Sequence, residues 1–195
     1  GISGVDTGAV AIKVNDDGFY SLMIGASDMG TGCDTILAQM AADCLDCEMD
    51  QIIVSGVDTD ISPYDCGSYA SSTTYVTGMA VIGNNVMCNS NEPLMASEAN
   101  SSPISPPPFM AGIAEIELDK ETGKVELVDY VAVVDCGTVV NPALARVQVE
   151  GGIAQGIGMA LYEDVVYNKD GKNFSNSFMQ YKIPTRLDFD KIRVE

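Results

Sequence analysis

Ala9-Val10-Ala11-Ile12-Lys13-Val14-Asn15-Asp16-Asp17-Gly18-Phe19-Tyr20-Ser21-Leu22-Met23-Ile24 reads as a β-hairpin. Ala9–Val14 is an apolar, β-branched run, Asn15–Gly18 is a tight turn, and Phe19–Ile24 returns as a second strand. A Gly-containing loop follows from Asp28 to Asp34. Thr35–Leu45 then places Ile36, Leu37, Met40, Ala41 and Cys44 at helical spacing. Gln51–Val57 reads as a third strand, and Thr73–Val81 opens another helix. The plan recurs further on. Phe109–Leu118 is a strand, Asp119-Lys120-Glu121-Thr122-Gly123 a turn and Lys124–Val134 the returning strand. A Gly/Asn-Pro loop then leads to a helix over Pro142–Leu161. Val165–Asn168 and Phe174–Lys182 read as a hairpin around Lys169-Asp170-Gly171. The expectation is an α+β fold of two related hairpin-helix-strand halves, with a repeat of architecture rather than of residues.

Five of the eight prolines fall between Pro93 and Pro108, in a window also rich in Ser and Asn. It reads as a linker. The expected organisation is therefore a first half over 1–88, a linker over 89–108 and a second half over 109–195.

The chain has 195 residues and a formal net charge of −18, with no His. So acidic a chain argues against nucleic acid or an anionic membrane as partner, since both need a basic face. Without His, Ser-His-Asp and Cys-His catalysis and His-ligated zinc are excluded. The charge is uneven: before residue 120 the only base is Lys13. Any anion bound there must rest on backbone N–H groups or neutral donors. No secretory signal and no run of eighteen apolar residues is visible, so a cytoplasmic protein with free thiols is expected. The absence of a starting Met and the strand-like Ile192-Arg193-Val194-Glu195 ending read as a fragment of something longer.

Three segments are candidates for chemistry. In Asp28-Met29-Gly30-Thr31-Gly32-Cys33-Asp34-Thr35, two glycines let a ligand approach the backbone at a helix start, where N–H groups and the dipole favour an anion. The plainer alternative is a Gly turn followed by a Thr or Asp N-cap. Tyr69-Ala70-Ser71-Ser72-Thr73-Thr74-Tyr75 offers four hydroxyls in a row at a helix start, as donors or as a redundant cap. Glu150-Gly151-Gly152-Ile153-Ala154-Gln155-Gly156-Ile157-Gly158 puts four glycines inside a helix, at about 1 kcal/mol each relative to Ala. Either tight packing or a ligand bonded to Gln155 explains them. Two weaker features are Asp58, Asp60 and Asp65, a possible hard-cation loop read rather as solvated acids, and Cys44-Leu45-Asp46-Cys47, whose Cys44 reads as a buried thiol.

In order along the chain, these segments resemble the molybdenum-cofactor-binding part of the xanthine dehydrogenase and aldehyde oxidase family. The matching residues are Met29-Gly30-Thr31-Gly32 with Asp34-Thr35, Asp58-Thr59-Asp60, Ala70-Ser71-Ser72-Thr73, Val134-Asp135-Cys136-Gly137, Asn141-Pro142, Gln148-Val149-Glu150-Gly151, Gln155-Gly156 and Tyr181-Lys182-Ile183-Pro184. The likeness is to the C-terminal cofactor-binding half of the large subunit, in the bacterial branch. It implies a molybdenum-dependent oxidoreductase that hydroxylates a purine-like heterocycle or an aldehyde with oxygen from water. The implied cofactor is molybdenum on molybdopterin, in bacteria as the cytosine dinucleotide, with FAD and [2Fe–2S] on partner subunits or domains. The N-terminal half of the large subunit is a further implied partner. Carried over residue by residue, the cofactor contacts are Met29, Gly30, Thr31, Gly32, Ala70, Ser71, Ser72 and Gln155. The family's general base, a Glu in a Gly-Glu motif, is expected downstream of Glu195. No catalytic residue and no metal ligand is therefore assigned within 1–195, and the fragment alone is expected to be inactive. Thr31 stands where much of the family has Gln, and the stretch around Asn84–Ala96 is short for the family. A non-catalytic binding or assembly module of the same fold is the alternative.

Overall fold

The computed structural model describes residues 4–88, 95–189 and 191–195. The chain divides into two compact units, Gly1–Pro107 and Pro108–Glu195.

In the first unit β1 (Thr7–Val14) and β2 (Tyr20–Ile24) form the expected hairpin, with Val14 opposite Tyr20. The chain then crosses through α1 (Cys33–Leu45) and a 3-10 turn to β3 (Ile52–Gly56), which lies parallel to β2. A parallel neighbour requires such a crossover, because a tight turn can only reverse the chain. The second helix, α2, runs on from Thr73 to Cys88, well past the expected Val81. The sheet order is β3-β2-β1-β4, where β4 is Met95–Ser101. Val10, Ile12, Leu22, Ile24, Leu37, Ala41, Ala80 and Val81 are almost fully buried between this sheet and the two helices. Met40 of α1 lies where a Cβ on Gly78 of α2 would fall (2.7 Å), so glycine permits the helices to approach. The buried stripe of α1 is Leu37, Ala38, Ala41 and Ala42. It is rotated from the expected stripe because small alanines, not Ile36 and Cys44, meet the close-packed neighbours.

The strand β4 corrects the linker reading of 89–108. Residues 95–101 pair with β1 from Met95↔Lys13 to Ser101↔Thr7. Polar Ser, Glu and Asn hid the strand, since an edge strand needs its backbone ladder more than an apolar face. Residues 89–94 lie outside the described residues.

The second unit repeats the topology. β5 (Phe109–Leu118) and β6 (Val125–Asp135) form a hairpin, α3 (Pro142–Leu161) crosses, and β7 (Ile192–Val194) returns parallel to β6. Asn141 caps α3 by accepting from Leu144 N–H at 3.0 Å, with Pro142 at the helix start. The hairpin expected over 165–182 is not a pair of strands. A single bridge, Tyr167↔Asn173, closes the turn, and 177–180 turn again. The Asn168 side chain, which accepts from Asp170 and Lys172 N–H, holds the turn locally without a longer ladder.

Five cysteines, Cys33, Cys44, Cys47, Cys66 and Cys136, are free thiols; the side chain of Cys88 lies outside the described residues. Among the described residues no helix is long and apolar enough to cross a membrane.

Candidate cofactor-binding site

Because β2 and β3 run parallel, the loops that follow them, 25–32 and 57–72, leave from the same end of the sheet. Ligands of open sheets sit at that end. The two loops are joined there: Ser68 Oγ donates to the Ser27 carbonyl at 2.7 Å. A Cβ on Gly25 would come within 2.3 Å of the Pro63 carbonyl oxygen, so the loops cross only over a glycine. The start of β1 joins the same end, with Cys66 N–H donating to Thr7 O at 2.9 Å. Met29, Gly30, Thr31, Gly32, Ala70, Ser71 and Ser72, far apart in sequence, are therefore gathered at one end of the first unit. Gln155 belongs to the second unit.

In the first loop, Gly30 and Gly32 have φ of +91° and +77°, in the left-handed region that glycine tolerates without strain. No atom lies within 4 Å of where a Cβ on Gly30 would be, and Met29 beside it is exposed. The N-cap of α1 is Gly32 itself, with no side-chain cap. The Thr or Asp cap considered from sequence is thus absent. Its place is taken by Asp28, whose Oδ1 accepts from Gly30 N–H at 2.9 Å and Gly32 N–H at 3.1 Å. Desolvation pushes the Asp28 carboxyl upward, but the N–H groups of Gly32, Gly30, Asp34 and Thr31 together outweigh it and hold the group below its ordinary 3.8. The cradle of N–H groups therefore receives an anion, and in this structure the anion is internal. Cys33 is buried, and its thiol is pushed up to about 12 by desolvation, then by Asp28 and Asp34. It stays protonated and unreactive at neutral pH.

The second turn carries backbone strain. Ala70 and Ser71 are consecutive non-glycine residues with φ of 56° and 60°. Such a conformation costs on the order of 1–3 kcal/mol per residue and persists only where the surroundings over-determine it. Those surroundings are visible. Tyr69 donates its hydroxyl to Asp6, a carboxylate only 1% exposed. Asp65 accepts from Gly67 N–H and from Thr77 Oγ1, both at 2.8 Å. Ser72 Oγ donates to the Tyr69 carbonyl at 2.7 Å. Ser72 is thereby turned inward and buried. Tyr69, Ala70 and Ser71 are the exposed members of the turn. The hydrogen bond to Asp6, with desolvation and the Asp6 charge behind it, pushes the Tyr69 phenol up to about 12. Asp6 and Tyr69 gave no sequence signal as a pair, being 63 residues apart.

The acids Asp58, Asp60 and Asp65 do not converge. Asp58 Oδ1 accepts from Asp60 N–H, and Asp65 accepts from Gly67 N–H and Thr77 Oγ1, so these two carboxylates serve local structure. Among the described residues, the trio whose ligand atoms lie within 4.8 Å of one another is Asp28, Cys33 and Asp34, already explained by the capping of α1. In the CxxC segment, Cys44 and Cys47 are half-buried and their thiols are raised, first by desolvation and then by neighbouring acids.

In the second unit, Gln148, Gly151, Gly152, Gln155, Gly156 and Met159 recur on one exposed face of α3. No atom lies within 4 Å of a Cβ built on Gly151, Gly152 or Gly156. Packing within the unit thus does not account for those three. It does account for Gly158, where a Cβ would meet Glu163 Oε1 at 2.2 Å and Pro184 at 3.1 Å. Tyr181 donates to Glu163 and fixes that corner. One residue-level trace of the repeat also emerges. Asp135 Oδ1 accepts from Gly137 N–H at 3.0 Å after β6, as Asp28 does from Gly30 after β2.

The fold is that of the cofactor-binding part of solved molybdenum hydroxylases. It superposes on CO dehydrogenase from Oligotropha carboxidovorans with a TM-score of 0.90 at 22% identity, over 96% of this chain and 30% of that one. It superposes on the aldehyde oxidoreductase of Desulfovibrio desulfuricans with a TM-score of 0.81 at 24% identity, over 100% of this chain and 25% of that one. The chain belongs to the molybdopterin cofactor-binding domain family, whose sequence model matches residues 1–84 and 88–189. Among curated relatives, it is 27% identical to the probable hypoxanthine oxidase XdhD of Escherichia coli K12, over 94% of this chain and 24% of the relative. It is 26% identical to the putative xanthine dehydrogenase molybdenum-binding subunit XdhA of the same organism, over 97% of this chain and 32% of the relative. The chain thus spans a quarter to a third of these relatives' lengths. The alignment with XdhD is 230 positions long, longer than this whole chain. The family match is interrupted over 85–87, within the stretch that reads as short from sequence.

Proposed function

We propose that this chain forms part of the molybdopterin site in the large subunit of a molybdenum hydroxylase acting on a purine-like heterocycle or an aldehyde. The observation that carries the reading is the meeting of the Gly30–Gly32 loop and the strained Ala70–Ser71 turn at one sheet end, tied by Ser68 to Ser27. The residues present fit a molybdopterin cofactor, and they also divide the work. The N–H groups of Gly30 and Gly32 already hold the Asp28 carboxylate, and Asp34 stands in the first turn of α1. A phosphate there would meet two acids. The first turn of α2 carries no acid, and exposed Ser71 and Thr74 stand at its start. The pterin is therefore assigned to the Met29–Gly32 loop and the pyrophosphate of a cytosine dinucleotide to the start of α2. Within the second unit taken by itself, Gln155 on the open glycine face of α3 keeps its assignment as a cofactor contact.

Molybdenum, when bound, would supply the oxidation chemistry of a hydroxylation that uses oxygen from water. This chain's residues position and orient. Ala70 and Ser71, pre-set by Tyr69 and Asp6, need no reorganisation on binding. The general base, the N-terminal half of the large subunit and the FAD and [2Fe–2S] partners are assigned outside residues 1–195, and the setting is the cytoplasm. By this reading residues 1–195 alone are inactive.

The test is on the intact protein. Acid release of CMP in a 1:1 ratio with molybdenum, and transfer of ¹⁸O from water into a hydroxylated purine or aldehyde, are the expected results. A second reading is favoured by Asp28, which fills the N–H cradle, and by Thr31 in place of Gln: a non-catalytic module of the same fold. It predicts neither molybdenum nor CMP.

A further inference from the structure

Of the acids in the loop after β3, Asp65 is held differently from Asp58. It is half-buried, and its two oxygens serve two different elements. Oδ1 accepts from Gly67 N–H inside its own loop, and Oδ2 accepts from Thr77 Oγ1 in α2, both at 2.8 Å. Thr77 is 2% exposed. It stands in the second turn of α2, past the N–H groups that a helix cap serves, so capping does not explain the bond.

Both ends of this bond lie against backbone at a glycine. A Cβ on Gly25, just after β2, would meet Asp65 Cβ at 2.7 Å and Asp65 N at 3.0 Å. A Cβ on Gly8, in β1, would meet Thr77 Cα at 2.8 Å and Thr77 N at 2.9 Å. Backbone cannot swing aside as the end of a long side chain can. The Asp65–Thr77 bond thus joins two points that are each already fixed against the sheet. Along the chain between them lie the strained Ala70 and Ser71 and the first turn of α2.

We propose that Asp65 is a positioning residue: it clamps residues 66–76 at both ends and so fixes where Ala70, Ser71 and the start of α2 present their donors. For what those donors meet, this role rests on the cofactor-binding reading above. The clamp depends on two hydrogen-bonding atoms in one plane rather than on charge. In Asp65→Asn, Oδ1 still accepts from Gly67 N–H, and Nδ2 donates to Thr77 Oγ1, whose hydroxyl accepts as readily as it donates.

The experiment compares Asp65→Ala, Asp65→Asn, Thr77→Val and Thr77→Ser in the intact protein. Amide exchange over 66–76 should quicken about tenfold or more in Asp65→Ala and Thr77→Val. It should stay near wild type in Asp65→Asn and Thr77→Ser, and exchange over α1 should be unchanged in all four. CMP and molybdenum per large subunit should fall in the first pair and hold in the second. Equal loss in Asp65→Asn and Asp65→Ala would overturn the proposal, as would wild-type exchange in Thr77→Val. Equal quickening over α1, or loosened 66–76 with full molybdenum content, would make the bond a support of the fold and overturn it too. A wild-type protein with neither molybdenum nor CMP would sink the cofactor-binding reading and this role with it, while the exchange pattern, which needs no metal, would still decide the clamp.

Discussion

The carboxylate of Asp28 accepts from the same two N–H groups that an anionic ligand at the Gly30–Gly32 loop would use. Its pKa is depressed on balance, so its contribution to stability is present above its unfolded value and lost as the pH falls through the folded one. Asp28→Asn should therefore lower the Tm at neutral pH. The gap from wild type should close as the pH drops below 3.8, in thermal unfolding followed across pH. Tyr69→Phe removes the donor that holds the Ala70–Ser71 turn against Asp6. Amide exchange at Ala70 and Ser71 should quicken, and the molybdenum content of the intact protein should fall. Unchanged exchange would show that the turn is held by other means. The two loops at this sheet end were legible because glycines and a run of hydroxyls mark loops that open helices. The buried support was not. Asp6 lies 63 residues from Tyr69, and nothing local marks a carboxylate that a distant phenol will cover. Ser72 shows the converse, since a hydroxyl next to two exposed residues can still point inward.

At the scale of elements, α3 separates two kinds of glycine. Gly152 faces open space, so Gly152→Ala should stabilise the chain by about 1 kcal/mol in denaturant unfolding. The same change should lower molybdenum content if the face receives the cofactor, and a gain in stability with full loading would remove that face from the site. Gly158→Ala should instead lower the Tm, because its Cβ would press on Glu163 and Pro184. In the first unit, Leu37→Ala should cost about 2–5 kcal/mol, measured the same way, since Leu37 is fully buried. Both bounds of α3 could be read from Asn141-Pro142 and the periodicity that follows. β4 could not, because its polar residues describe an edge and an edge is held by backbone pairing. The 165–182 segment looked like strands from its apolar residues, yet the Asn168 and Ser177 turns hold it without a ladder.

For the whole molecule, the acidic charge, the absence of His and the single base before residue 120 leave backbone and hydroxyl donors as the means of holding an anion in the first unit. The structure supplies such donors where two loops meet at one sheet end. The repeated topology was legible because each half announces itself with a strand, a tight turn and a returning strand. The joining of the two loops was not, because a parallel β2–β3 pair is formed by long-range packing that no local pattern encodes. The central claim is that these loops hold molybdopterin, and elemental analysis of the intact protein purified from its own source tests it most directly. About one molybdenum per large subunit is the predicted result. None, from cells that load their other molybdenum enzymes normally, would contradict it.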